Sequence, residues 1–287
     1  MTEVNRRDFL RVGAAAMAVP SLAAQSSLAQ AAAAPPLPAA GTDGWISLFN
    51  GHDLSGWYSM LQNSGRDVAE KRGIVRVEDG MLHIYGNEQT AEPAEPGYLA
   101  TTQEFENVHI RVEYKWGVKR FPPRSLCKRD NGLLYGLVGD DKVWPTCVEC
   151  QIEEGDVGDF FLLGGVRGIQ DGHGAGFFGE GLEVNGFPPR RQRPVNPNAP
   201  PPDLTSGRKI KDGNFEVLDD WNVVEVIWQG DRAANIVNGR TVNSISMLQQ
   251  PDPQNAGQFV PLTRGKIAVE IEYSETWFRR IEVRPLA

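Results

Sequence analysis

Alternation with a period of two limits most strongly how this chain can fold. Val108, Ile110, Val112, Tyr114 and Trp116 are separated by His109, Arg111, Glu113 and Lys115, the pattern of a strand with one buried face. Wound into a helix, the same apolar residues would scatter around the axis. Val224, Val226 and Trp228 repeat the pattern. So do Ile267, Val269, Ile271 and Tyr273, with Lys266, Ala268, Glu270, Glu272 and Ser274 between them. Glu78-Asp79-Gly80, Asp130-Asn131-Gly132, Gln229-Gly230-Asp231 and Asn238-Gly239-Arg240 read as turns. No helical periodicity of three turns occurs beyond residue 34. The expected fold is all-β: two packed antiparallel sheets, a sandwich of the jelly-roll kind. At 287 residues and 40% hydrophobic, the chain can build such a core.

Residues 1–34 stand apart. Asn5-Arg6-Arg7-Asp8-Phe9-Leu10-Arg11 is a twin-arginine pattern, followed by the alanine-rich apolar run Val12 to Leu22 and small residues around Ser26-Ser27-Leu28-Ala29. We expect a cleaved export signal, giving a periplasmic or secreted protein with no membrane span in its mature form; the apolar run is too short for one. Residues 35–44 read as an Ala/Pro linker, and 45–287 as the sandwich domain. Within that domain, 186–213 is rich in proline and carries Arg190, Arg191 and Arg193. A structureless loop of this length is either functional or mobile.

Charge narrows the partners. The formal net charge is −8, and the leader contains three arginines against two acids, so the remainder is more acidic still. An acidic protein lacks the basic face that nucleic acid or anionic lipid requires; neutral substrates fit better. Cys127, Cys147 and Cys150 are too few for a disulfide scaffold, and the C-x-x-C pair falls on a predicted strand where its members face opposite sides. Cys150 is expected to pack with Val148 and Ile152. The glycine-rich Gln170-Asp171-Gly172-His173-Gly174-Ala175-Gly176 does not join a strand to a helix, which argues against a nucleotide cofactor.

The chemistry concentrates in VWPTCVECQIEEGD, residues 143–156. On a strand, Glu149, Gln151 and Glu153 share one side, and Val148, Cys150 and Ile152 share the other. The acidic row therefore lies on the outer surface of a sheet, either as a solvated face or as the floor of a site. Trp144, just before the strand, could stack on a sugar ring. Glu149 and Glu153 cannot by themselves be a retaining glycosidase pair. Such carboxyl groups stand ~5 Å apart, whereas residues four apart on a strand have backbones roughly 13 Å apart; only a bulge that brought Glu154 round would shorten the gap.

Trp45-Ile46-Ser47-Leu48-Phe49-Asn50-Gly51-His52-Asp53-Leu54-Ser55-Gly56-Trp57 resembles the opening signature of the 3-keto-disaccharide hydrolase domain family, a concanavalin-like sandwich. Resemblance continues through Glu78-Asp79-Gly80-Met81-Leu82, Gly97-Tyr98-Leu99-Ala100-Thr101, Asp130 to Tyr135, Val148 to Ile152, Asp220-Trp221-Asn222, Val237 to Arg240 and Gly265 to Ile281. Three departures stand out: Asp130-Asn131-Gly132 where the commoner family form is Asn-Ser-Gly, Gly136 where a larger polar residue is frequent, and Glu270 where glutamine is usual.

The resemblance implies cleavage of glycosides already oxidised to a ketone at C3, by removal of the C2 proton, loss of the C1 substituent and addition of water. For that chemistry Glu149, mid-strand on the polar face, is the expected base, and Glu270 or Glu272, which share one face of another predicted strand, the second acid/base. Asp130 is expected to orient the sugar or ligate a metal, Lys115 to stabilise an enolate, and Gln151, Trp144 and His173 to bind substrate. A divalent metal is a possible cofactor, its ligands unknown. His52, His83 and His109 read as structural. A sugar-binding module without turnover and a conventional jelly-roll glucanase remain alternatives.

Overall fold

Two-residue turns close hairpins at Asp79-Gly80 and at Asn238-Gly239. Asp79 and Gly80, and again Asn238 and Gly239, have positive φ, so both central residues adopt the left-handed conformation of a type I′ turn. The computed structural model describes residues 38–86, 93–172 and 203–286. The expected export signal, His173 and residues 186–202 of the proline-rich segment lie outside the described residues.

Strands β1 (Ile46–Ser47), β2 (Trp57–Leu61), β3 (Gly65–Arg66), β4 (Val75–Glu78), β5 (Met81–Ile84), β6 (Gly97–Phe105), β7 (Val108–Arg120), β8 (Asp130–Val138) and β9 (Thr146–Glu153) form the first half. The second half holds β10 (Phe160–Leu163), β11 (Arg167–Gly172), β12 (Gly207–Lys209), β13 (Asn222–Gln229), β14 (Arg232–Val237), β15 (Arg240–Pro251), β16 (Phe259–Pro261), β17 (Gly265–Ile271) and β18 (Ser274–Pro285). No helix occurs among the described residues. One sheet runs β11-β15-β14-β13-β7-β18-β5-β4, with β1 beside β18 and β16 beside β15; the other runs β12-β10-β9-β8-β17-β6-β2-β3. The fold is the all-β, two-sheet antiparallel sandwich that the alternation predicts.

The core lies between the sheets. Val112, Tyr114 and Trp116 of β7 and Val226 and Trp228 of β13 meet Val148, Cys150 and Ile152 of β9 and Ile267, Val269 and Ile271 of β17. Tyr135 and Trp228 bridge the two layers with ring centroids 5.4 Å apart. Burying each aliphatic side chain of this core contributes about 1.5–3 kcal/mol.

Three expectations are corrected. Asp130-Asn131-Gly132 is not a turn but the start of β8: Asn131 donates from Nδ2 to the Glu270 carbonyl at 2.9 Å and accepts the Gly132 N–H at 2.9 Å, stitching the strand to β17. Tyr273 does not extend the alternation of β17, because the strand ends at Ile271 and Tyr273 turns left-handed (φ 53°) towards β18. The last part of 186–213 is not structureless, since β12 pairs with β10 and Arg208 reaches Asp159 at 2.6 Å.

Candidate functional site

The residues of β9 that turn away from the core face outward from the second sheet. Its register sets their neighbours: Glu153 stands opposite Asp130, Gln151 opposite Gly132 and Glu149 opposite Leu134 on β8, while Glu270 of β17 stands opposite Tyr98 of β6. One end of this face is apolar, with Tyr58, Tyr98, Leu134 and Cys147 packed together. The other end is acidic. Cys147 and Cys150 accordingly fall in different apolar clusters on opposite faces and remain free thiols.

The acidic end is built around a missing side chain. A Cβ placed on Gly132 would lie 2.7 Å from Glu149 Oε1 and 2.8 Å from Glu270 Oε2. The two carboxyl oxygens are thus no further apart than the sum of those distances. Both residues are buried, Glu149 at 5% and Glu270 at 2% exposure, as are Asp130 and Gln151. Glu149, Asp130, Glu270 and Glu272, which the sequence assigns to catalysis, come together in one cluster with Gln151. Glu154 does not join them, being bound by Arg129 and Arg120.

Arg124, in the loop between β7 and β8, is a member that sequence reasoning missed. Its Nη1 lies 2.6 Å from Asp130 Oδ2 and 2.5 Å from Glu272 Oε1, and its Nη2 lies 3.7 Å from Glu153 Oε1. Nothing in the periodicity marks a loop arginine as part of a site on three other elements.

Burial dominates the electrostatics. It pushes the Glu149 carboxyl well above the usual range, and the negative charges of Asp130, Glu272 and Glu153 push it further. Glu270 is raised by burial, then by Glu149, Glu272 and Asp130, and it hydrogen-bonds Glu272. Asp130 is pushed up to about 8 by burial and by Glu272, against the pull of Arg124. Glu272 is raised by burial while Arg124 and the Glu270 hydrogen bond oppose the rise. Asp130 Oδ1, Gln151 Oε1 and Glu270 Oε2 have no hydrogen-bond partner within the protein. Buried and unpartnered, they hold hydrogen-bonding capacity that the protein itself leaves unmet.

The structure does not bring every candidate here. Lys115 lies on β7, opposite Trp277, in the other sheet and on that sheet's outer face, so it cannot stabilise an enolate at this cluster. Periodicity gave the correct face but could not tell which layer the strand joins. Trp144 is half-buried in the loop leading into β9. His83 sits between Glu78 and Glu275 at 2.6 and 2.9 Å under the Trp277 ring, on the sheet that does not hold the cluster. His109 packs beside Trp45.

A divalent metal does not fit the donor set as it stands. Among the described residues no three His, Cys, Asp or Glu side chains gather as metal ligands, and Asp130, Glu153 and Glu272 are already drawn round a guanidinium.

A family profile described as the 3-keto-alpha-glucoside-1,2-lyase-like domain matches residues 44–284. No curated protein matches the chain. Among solved structures, a candidate glycosyl hydrolase from Parabacteroides distasonis ATCC 8503 is 19% identical, with 85% of this chain and 95% of that one covered and a TM-score of 0.49. The carbohydrate-binding module CBM66 from Bacillus subtilis is 8% identical, with 80% and 95% covered and a TM-score of 0.44. A Bacillus subtilis protein of unknown function with a galectin-like fold is 9% identical, with 87% and 98% covered and a TM-score of 0.43.

Proposed function

The chain belongs to the 3-keto-alpha-glucoside-1,2-lyase-like domain family, and on that premise we propose that it cleaves glycosides carrying a ketone at C3 of the sugar. The observation that carries the reading is the pair of buried carboxyl groups, Glu149 and Glu270, meeting over Gly132. Two acids so close and so desolvated do not both hold full charge, so one keeps a proton while the other is available as a base.

In this reading ionised Glu149 removes the C2 proton, and the electron pair of that bond moves towards the C3 carbonyl to give an enolate. Asp130, whose Oδ1 is unpartnered and whose proton is retained into the neutral range, donates a hydrogen bond to the enolate oxygen. The enolate collapses, a C1–C2 double bond forms, and the C1–O bond breaks. Glu270 gives its proton to the departing oxygen. In the hydration half, Glu270 takes a proton from water as its oxygen bonds to C1, and Glu149 returns its proton to C2. Both carboxyl groups finish as they began. The Gln151 amide oxygen accepts from a sugar hydroxyl.

The proximity of Glu149 and Glu270 also favours a second reading. Retaining glycosidases place their two carboxyl groups about 5–5.5 Å apart, a spacing the Gly132 cradle permits, although Glu149 and Glu153 alone do not reach it. Incubating the mature protein with a 3-keto-disaccharide and with its unoxidised parent separates the readings. Cleavage of the ketone alone supports elimination, cleavage of the parent supports a conventional glucanase, and binding without turnover supports a sugar-binding module.

We further propose export through the twin-arginine pattern at residues 5–11, placing this chemistry in the periplasm or outside the cell. A size shift on maturation that disappears when Arg6 and Arg7 are both replaced by lysine is the expected result.

A further inference from the structure

Among the described residues in contact with the acidic cluster, one guanidinium serves several carboxyl groups at once. Arg124 reaches it from the loop between β7 and β8 and is only a quarter exposed. A single nitrogen, Nη1, is shared by Asp130 of β8 and by Glu272, just beyond the end of β17. Its other terminal nitrogen faces Glu153 of β9. Glu272 in turn hydrogen-bonds Glu270, and Glu270 shares the Gly132 cradle with Glu149. The groups therefore form a chain from Arg124 through Glu272 and Glu270 to Glu149, one end positive and partly exposed, the other neutral or negative and buried.

We infer that Arg124 is a positioning residue that sets where the protons of this cluster reside: by drawing negative charge onto Glu272, it gives Glu270 an acceptor and keeps the acid proton there. This deepens the elimination reading, in which Glu270 protonates the leaving group. A cation beside a carboxylate favours its ionised form. Ionised Glu272 has acceptor oxygens but no proton to give, so the hydrogen bond between the two glutamates is donated by Glu270. Asp130, tied to the same nitrogen through Oδ2, keeps Oδ1 free. The other cations pair further out, Lys128 and Arg208 with Asp156 and Arg208 also with Asp159, but Arg208 additionally pulls the Glu149 carboxyl down against its burial, and both act on Glu153. The other titratable neighbours are Tyr273, next to Glu272, and the buried thiols Cys147 and Cys150 beside Glu149, both pushed up by burial and so neutral.

The test uses the mature protein and the variants Arg124→Gln and Arg124→Lys. Infrared absorption of protonated carboxyl groups at neutral pH is measured on each without substrate. The expected result is a stronger protonated-carboxyl band in R124Q, as Glu272 takes up a proton, and a near wild-type band in R124K. With the 3-keto-disaccharide, the acid limb of the kcat/KM profile in R124Q is expected to move up by about one pH unit, which is about a tenfold loss at a fixed pH on that limb. R124K is expected to recover most of it. A band and a pH profile unchanged in R124Q overturn the inference. So does a loss of rate at every pH with no displacement of the limb, which marks a purely structural role. If R124Q does not fold, R124K decides alone: rates reduced equally at every pH with the wild-type band overturn the inference, and a small upward move of the limb supports it. If the wild-type protein cleaves no ketone, the elimination reading fails, while the infrared comparison still decides the role of Arg124.

Discussion

Glu149 of β9 and Glu270 of β17 bring carboxyl oxygens to within 2.7 and 2.8 Å of one point above Gly132, on the strand that runs between them. Any side chain at that position would occupy the space the acids use. Gly132→Ala is therefore expected to fold, because the atoms in its way are the ends of two flexible side chains rather than backbone, and to push the carboxyl groups apart. Displacing reacting groups by about 1 Å can cost about a hundredfold in rate. We expect kcat to fall by about that factor while the melting temperature changes little, as checked by turnover and thermal unfolding on the same preparation. Undiminished turnover in G132A would mean that the pair does not act together.

Replacing Glu149 by glutamine keeps shape and volume and removes the base. General base catalysis contributes about 10²–10⁴ in rate, and a loss within that range is expected with the ketone substrate. Stability should hold or rise, since the change takes an ionisable group out of a buried, crowded position. Turnover at the wild-type rate in E149Q would remove Glu149 from the mechanism.

Period-two alternation placed Glu149, Gln151, Glu270 and Glu272 on outward faces because side-chain direction on a strand follows from backbone geometry alone. It could not show that β9 and β17 flank the same strand, since that depends on register between segments more than a hundred residues apart. Asp130-Asn131-Gly132 misled because the residues that favour turns also suit a strand that must leave room; the reason for Gly132 is its missing Cβ, visible only with its neighbours in place. Arg124 carries no periodic signal at all. Its role arises where a loop meets three strand ends.

Lys115 tests the difference between face and layer. Its sheet is β7's, paired with β13 and β18, and the acidic cluster belongs to the other sheet. Lys115→Ala is expected to leave kcat and KM for the ketone within about twofold of wild type, since a substitution on an outer face away from a site shifts free energies by only about 0.5 kcal/mol. A large loss of kcat would require the sugar to contact both sheets, contrary to the arrangement of the strands.

Asp130 makes the cost of assembling this cluster measurable through pH. Its carboxyl is pushed up from 3.8 to about 8 by burial and by Glu272. Between those values the folded protein therefore holds a proton that the unfolded chain has released, and stability falls as pH rises. The contribution is fully present below the unfolded value and is lost on passing through about 8. Glu149, Glu270 and Glu272 shift in the same direction, whereas Glu154 and Asp156, held low by arginine and lysine partners, shift in the opposite one. Asp130→Asn keeps a neutral side chain at every pH and isolates the Asp130 part. The wild-type protein is expected to melt at a lower temperature at about pH 8.5 than at about pH 5.5, and D130N to narrow that gap by about 2–4 °C for each kcal/mol of burial penalty relieved. An equal gap in both proteins would mean that Asp130 is ionised throughout this range, and with it the hydrogen bond proposed from its Oδ1 to the enolate would fall.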